Sequence, residues 1–305
     1  MCTSLSFGSP HLFGRNLDLD VPFPAQPTLT PRKFPLSFRK AGNFLHHYSF
    51  FGMATVVNGY PLYADAVNEK GLGMAGLNFP QNACYAQNCD VGKHNVSPFE
   101  LIPWVLAQCA TCDEAKQLLK STNLVHLPFS QSIALTPLHW HVADASSSIV
   151  FERTSEGAFV YDNPYGVLAN NPPFPEQIKS AQAQAPLFLA PMQNGRVEPS
   201  FPGDFSSPSR FLRAAILRAL SPKMTEKRQS VAQFFDILSS VSPVSGAVIT
   251  ERGAFQETLY SCCLDFTTRT CYLRQKGDPH THVFSYFKAQ EDNRSLLSLT
   301  KKRTG

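Results

Sequence analysis

The chain contains no run of apolar residues approaching the roughly 18 that a membrane span demands, and no basic segment followed by an apolar stretch of the kind that directs secretion. Both absences point to a cytoplasmic protein. Charge of one sign is also missing: 27 Lys and Arg against 23 Asp and Glu leave a net +4, scattered except for the terminal run at 301–303. That excludes a nucleic-acid stripe and gives no funnel for acidic substrates. Among eight cysteines, Cys109 and Cys112 form a CxxC with no second CxxC and no paired histidines, which argues against a zinc or redox site. His139 and His141 alternate on a strand with no third ligand at the right spacing, so strand hydrogen bonding is favoured over a metal. Cys262 and Cys263, adjacent on a strand, point to opposite faces and do not pair with each other. No metal and no cofactor are expected. No linker composition interrupts the 305 residues, so one large domain over 1–305 is expected, and 43% hydrophobic content suffices for its core.

What is present is concentrated at the beginning, MCTSLSFGSPHLFGRNLDLD. Once Met1 is removed, Cys2 carries a thiol and a free α-amine on one residue. The sulfur can attack as thiolate, and an amine with unperturbed pKa near ~8 can take its proton, so no separate histidine is needed. Thr3–Phe7 alternates as a strand, and Phe13–Leu17, after a turn at Gly8, Ser9 and Pro10, is its hairpin partner. The hairpin returns Arg15 and Asp18 to the terminus. There a carboxylate can hold the ammonium and a guanidinium can favour the thiolate.

Further along, the proline-rich and basic stretch 20–43 reads as irregular structure near the mouth of a site, with Phe23, Leu29, Phe34 and Phe38 either lining a pocket or anchoring loops. Tyr48–Val57 reads as a buried strand, and Leu72–Phe79 as another that brings Asn78 to a pocket edge. Ser97, Pro98 and Glu100 form one capping box and Thr111 with Glu114 another, starting two packing helices. Strands are expected at Ser132–Leu135, His139–Ala143, Ser148–Glu152, Ala158–Tyr161, Gln256–Leu264 and Thr270–Gln275, and helices at Ser207–Leu220 and Val231–Val241. Residues 175–206 read as a polar, proline-rich connection. Strand-rich segments flanking two helical blocks with apolar faces predict an α+β protein of antiparallel sheets packed against helices. An arginine in a helix's first turn, as at Arg210, faces the wrong end of the helix dipole and calls for a carboxylate or a role beside a nucleophile.

The opening, together with TPRKFPLSFRK, YPLYADAVNEKGLGMAGLNFP, SPFELIPWVLAQ, TPLHWHVAD, YDNPYGVLANNPPF, PGDFSSPSRFLRAA and YSCCLDF, resembles the choloylglycine hydrolase family of bile salt hydrolases and penicillin V acylases, across nearly the whole chain in one register. The resemblance implies the four-layer αββα sandwich of N-terminal-nucleophile hydrolases and catalysis by Cys2, Arg15, Asp18, Asn78, Asn171 and Arg210. Asn78 and Asn171 would be the oxyanion donors, with Asn170 the adjacent alternative. Asparagine at position 78 leans toward bile salt hydrolases, since penicillin V acylases tend to carry tyrosine there. The family often has threonine where this chain has Ala169, and the stretch around 190–203 is shorter than in bile salt hydrolases, where it contributes to tetramers. The implied substrates are glycine- or taurine-conjugated bile salts, and a homo-oligomer is expected. The rivals are a penicillin V or N-acyl homoserine lactone acylase, and a binding protein that has lost turnover.

Overall fold

The computed structural model describes residues 1–7, 11–188, 202–222 and 224–301. The expected turn at 8–10 and the shortened stretch at 190–203, save its last residues, lie outside them. Strand β1, Cys2–Phe7, pairs antiparallel with β2, Leu12–Leu19, placing Cys2 opposite Leu17 and Ser4 opposite Arg15. Alternation decides what each face meets. Ser4, on the side of Cys2 and Arg15, hydrogen-bonds His141 of the second sheet at 2.7 Å, while Phe7 packs edge-on to Phe234 of a helix.

This hairpin sits inside a seven-stranded sheet, between Val167–Leu168 on one side and Glu257–Asp265 on the other, and beyond the latter run Thr270–Gln275, His282–Ser285 and Thr300–Lys301. A second sheet of eight strands has Gly73–Asn78 near its middle, flanked by Leu138–Ala143 and Tyr60–Asn68. Every pairing in both sheets is antiparallel. Phe13 and Leu17 of the first sheet share a core with Met53, Val67 and Leu77 of the second, so the two meet face to face. The same core continues through the first sheet to Phe211, Phe234 and Leu238 on helices Ser207–Leu220 and Lys227–Ser240. On the far face of the second sheet, Phe50, Met74 and Trp140 meet Leu101, Val105 and Leu119 of helices Leu101–Leu106 and Cys112–Lys120. Helix, sheet, sheet, helix is the expected αββα order.

Local signals account for most element ends. Ser97 and Glu100 close a capping box around the 3₁₀ turn Pro98–Glu100, which leads into the helix at Leu101. Thr111 accepts the N–H of Glu114 at 3.2 Å and starts the next. Three expectations need correction. Ser132–Leu135 is not a strand, because Ser130 Oγ captures the Ile133 N–H at 3.1 Å and bends the chain. Residues 175–206 are not all connection, since Phe174–Phe188 is a helix; Pro175 lies in its first turn, where the missing N–H costs nothing. The irregular stretch 20–43 contains the sheet strand Gln26–Thr30 and a small hairpin, Leu36–Phe38 with Gly42–Phe44.

Candidate active site

Cys2 is buried at the start of β1, and two positions along the partner strand from Leu17, on the same face, stands Arg15. The Arg15 guanidinium passes between the sheets and donates to the backbone carbonyls of Gly76 and of Ala64, the latter at 3.2 Å. Its Nε bonds the Asn16 carbonyl at 3.2 Å, and its Nη2 is buried without a partner among the described residues. Among the described residues no carboxylate bonds it directly, so its positive charge stays available to the neighbouring thiol. Burial opposes that charge, but Cys2, Tyr260, Asp65 and Cys262 outweigh burial and push its pKa up.

On the helix side of the same terminus, one arginine organises the backbone. Arg210, fully buried in the first turn of Ser207–Leu220, donates to the Cys2 carbonyl at 2.5 Å, Thr3 Oγ1 at 2.6 Å and Asn170 Oδ1 at 2.8 Å. The Cys2 backbone nitrogen also donates to Asn170 Oδ1, at 2.7 Å. Two donors meeting one amide atom fix which end is oxygen, and the other end confirms it: Nδ2 donates to the Asn78 carbonyl at 2.6 Å. Burial lowers the pKa of Arg210, against the pull of Asp18 and Cys2.

Asp18 is wholly buried. Its Oδ1 accepts from Thr258 at 2.6 Å, and its Oδ2 has no partner among the described residues. Burial raises its pKa, while Arg210, Thr258, the terminal amine and Arg15 pull it back down. The Met1 ammonium bonds the Asp18 backbone carbonyl at 2.8 Å, and burial holds that amine below its ordinary value. An orphaned carboxylate oxygen is what a terminal ammonium on Cys2 would need.

The structure thus gathers Cys2, Arg15, Asp18, Arg210 and Asn78 at one end of the sandwich. Asn171 is set apart: its Nδ2 donates to the Pro80 carbonyl at 2.8 Å, and it is Asn170 that reaches Cys2. Neighbouring residues of a turn point in different directions, and here the Asn170 backbone is fixed by Ser207 Oγ on its N–H (2.7 Å) and Gln177 Nε2 on its carbonyl (2.6 Å). Asp65 was missed by sequence reasoning. Fully buried, it accepts from Tyr260 at 2.6 Å and from the Cys262 thiol at 3.1 Å, and burial raises its pKa. Its only sequence signal was an acid inside the apolar run of the strand Tyr60–Asn68.

Cys2, Arg15 and Asn78 open onto a cavity of about 350 Å³. Its walls come from Val21 and Phe23, from Leu62 of strand Tyr60–Asn68, and from Phe129 with Ile133 and Leu135. Of the four candidate pocket residues in 20–43, only Phe23 lines it; Leu29 and Phe38 belong to the cores and Phe34 packs on one. The remaining candidates are held in the fold. Burial pushes the Cys109 and Cys112 thiols up to about 12, and both ring nitrogens of His139 and of His141 are engaged in hydrogen bonds. Burial also drives His141 down to about 3.

An αββα sandwich with a buried cysteine starting a strand of one central sheet, beside an arginine and an orphaned carboxylate, has the fold of the N-terminal-nucleophile hydrolases. The family model for linear amide C–N hydrolases, choloylglycine hydrolase family, matches residues 2–298. A bile salt hydrolase/transferase of Lactiplantibacillus plantarum is 41% identical, over 98% of this chain and 96% of that one. A variant of the conjugated bile acid hydrolase of Clostridium perfringens superposes with a TM-score of 0.86 at 30% identity, covering 99% of this chain and 97% of that one. The penicillin V acylase of Agrobacterium tumefaciens shares the fold, with a TM-score of 0.78 at 19% identity over 97% of this chain and 90% of that one. The chain belongs to the choloylglycine hydrolase family.

Proposed function

We propose that this chain hydrolyses the amide bond of glycine- or taurine-conjugated bile acids, with Cys2 as nucleophile after loss of Met1. The Cys2 amine takes the thiol proton, and the sulfur attacks the amide carbonyl carbon. The oxyanion is held by the second N–H of Asn170 Nδ2, whose first bonds the Asn78 backbone carbonyl, together with Asn78; Asn170 and not Asn171 is assigned because its amide lies against Cys2, with Oδ1 accepting the Cys2 N–H, while Asn171 donates to Pro80. Asp18 holds the ammonium, and Arg15 and Arg210 stabilise the anionic stages. The C–N bond breaks as the ammonium returns its proton to the leaving amine, giving glycine or taurine and an acyl thioester. Water, deprotonated by the same amine, then attacks the thioester and frees the bile acid and the thiol.

The observation that carries the reading is the largely apolar cavity opening on Cys2 and Arg15, sized for a bulky acyl group and walled by aliphatic and aromatic side chains. Steady-state rates on glycocholate, taurocholate and penicillin V test it. The conjugated bile acids should dominate, and Cys2→Ala should abolish turnover. A dominant penicillin V rate would place the chain with the acylases, and binding of bile acid without turnover would make it a binding protein. We further propose one domain over 1–305 working in the cytoplasm as a homo-oligomer. No helix among the described residues is long and apolar enough to cross a membrane, and all eight cysteines are free thiols, as in a reducing compartment.

A further inference from the structure

His139 and Glu152 face each other from the adjacent strands Leu138–Ala143 and Ser148–Thr154, and neither has any exposed surface. His139 Nδ1 lies 2.9 Å from Glu152 Oε1. Its Nε2 lies 2.8 Å from the Ala169 carbonyl oxygen, and since a carbonyl only accepts, Nε2 carries a proton. The ring is stacked flat on Phe79, with centroids 4.3 Å apart and planes 7° apart, so it cannot swing away. The Glu152 carboxylate in turn accepts the Phe174 N–H, at 3.0 Å to one oxygen and 3.2 Å to the other.

Ala169 and Phe174 are the two ends of the turn that carries Asn170. A buried imidazole and carboxylate therefore tie down both ends of that turn, and both tethers leave the sheet to reach the same loop. The register of the two strands does not need them, because Trp140, Val142, Val150 and Phe151 already bury the neighbouring positions. Placing two ionisable groups in a core that apolar residues could fill is costly, which makes a purely packing role a poor account of them.

We infer that His139 and Glu152 are positioning residues for Asn170, setting where its amide stands relative to Cys2. The inference rests on the catalytic reading of Cys2 and Asn170 given above. Neither residue lines the cavity, so they act on turnover through the turn and not on substrate binding.

Four variants test this, assayed on glycocholate beside the parent and Cys2→Ala, with rates taken per folded molecule from urea unfolding. Glu152→Gln keeps both contacts, its amide donating to His139 Nδ1 and its carbonyl accepting from Phe174; its kcat should stay within about threefold of the parent. Glu152→Leu keeps the volume and loses both contacts; kcat should fall about 100-fold, the size expected for a misplaced reacting group, with KM within about threefold. His139→Gln and His139→Asn differ by one methylene, and only the longer amide reaches the Ala169 carbonyl from the Nε2 position. The glutamine variant should turn over at least about tenfold faster than the asparagine variant. Folded Glu152→Leu with parental kcat, a Glu152→Gln as impaired as Glu152→Leu, or equal kcat in the two His139 variants would each overturn the inference. A parent without turnover, or a Cys2→Ala that keeps it, would overturn the functional reading and the inference with it.

Discussion

Truncating Asn170 and Asn171 separately locates the oxyanion donor. In Asn170→Ala three buried partners lose their contact: the Cys2 nitrogen, Arg210 Nη2 and the Asn78 carbonyl, now bonded at 2.7, 2.8 and 2.6 Å. Arg210 keeps its bonds to Cys2, Thr3 and Phe205, so its cation is not stranded. At about 1–3 kcal/mol for each unmet buried group, less what water recovers in the space left, the fold should lose about 3 kcal/mol. Turnover should fall by about 10² to 10³, the range measured when one preorganised oxyanion donor is removed. Asn171→Ala gives up one bond, to the Pro80 carbonyl at the surface, and should cost under about 1 kcal/mol and less than about threefold in kcat. The assay is release of free glycine or taurine, giving kcat and KM separately, with urea unfolding of each variant. A larger kcat loss in Asn171→Ala than in Asn170→Ala would refute the assignment.

Intact mass of the active protein should show one methionine fewer than the sequence encodes, and alkylation of Cys2 should end turnover; an active protein still carrying Met1 would end the mechanism. Gly14→Ala should prevent folding or cost more than about 3 kcal/mol, because a Cβ there would lie 2.0 Å from the Cys262 backbone carbonyl; a urea midpoint near that of the parent would contradict it. Asp144 caps the N–H groups of Cys112, Ser146 and Ser147, which outweigh partial burial and hold its pKa at about 2. Its folded pKa lies below the unfolded value of about 3.9, so its stabilisation is present above pH ~4 and lost as pH falls toward 2. Urea midpoints of Asp144→Asn measured across that window should lack this part of the acid loss; an unchanged profile would show that the cap is not what titrates.

How much of this could be read from the chain depends on the range of the interactions. β1 and β2 are a local hairpin, and its pairing alone returned Arg15 and Asp18 to the end of the chain that carries Cys2. The helices at 101–120 and 207–220 carry caps within three or four residues of their starts, so they too were legible. Helix Phe174–Phe188 was hidden because its prolines resemble those of a loop, and Gln26–Thr30 because pairing with Phe50–Val57 overrides the proline-rich composition around it. That Asn170 and not Asn171 lies against Cys2 depends on Arg210, 40 residues from Asn170, and on the turn's own tethers. Asp65 was invisible because its partners lie 195 and 197 residues away on another sheet. Gln26–Thr30 and Asp65 were decided by long-range contacts that no local propensity carries, whereas Ser132–Leu135 was decided by a side chain three residues from the amide it captures.

On the mechanism proposed above, the buried charges around Cys2 let its terminus work inside a protein core. Two guanidiniums, Arg15 and Arg210, stand against two carboxylates, Asp18 and Asp65, all four without exposed surface. These balance when both acids are ionised. A Cys2 zwitterion, thiolate with ammonium, adds no net charge, so forming it avoids the large penalty of an isolated buried ion. Position then directs each half. Arg15 lies on the inter-sheet face that Cys2 shares with the cavity and favours the thiolate, while Asp18, with its unpaired Oδ2, lies on the opposite face of the same strand, where it can receive the ammonium. Strand alternation therefore separates the two charges of one residue onto two sides of one sheet. Asp18→Asn keeps the shape and the Thr258 contact but removes the acceptor charge. It should weaken the ammonium and lower the amine's pKa, moving the acid limb of kcat/KM to lower pH, as well as reducing turnover. A pH profile of Asp18→Asn with the parental acid limb would show that the carboxylate does not hold the amine.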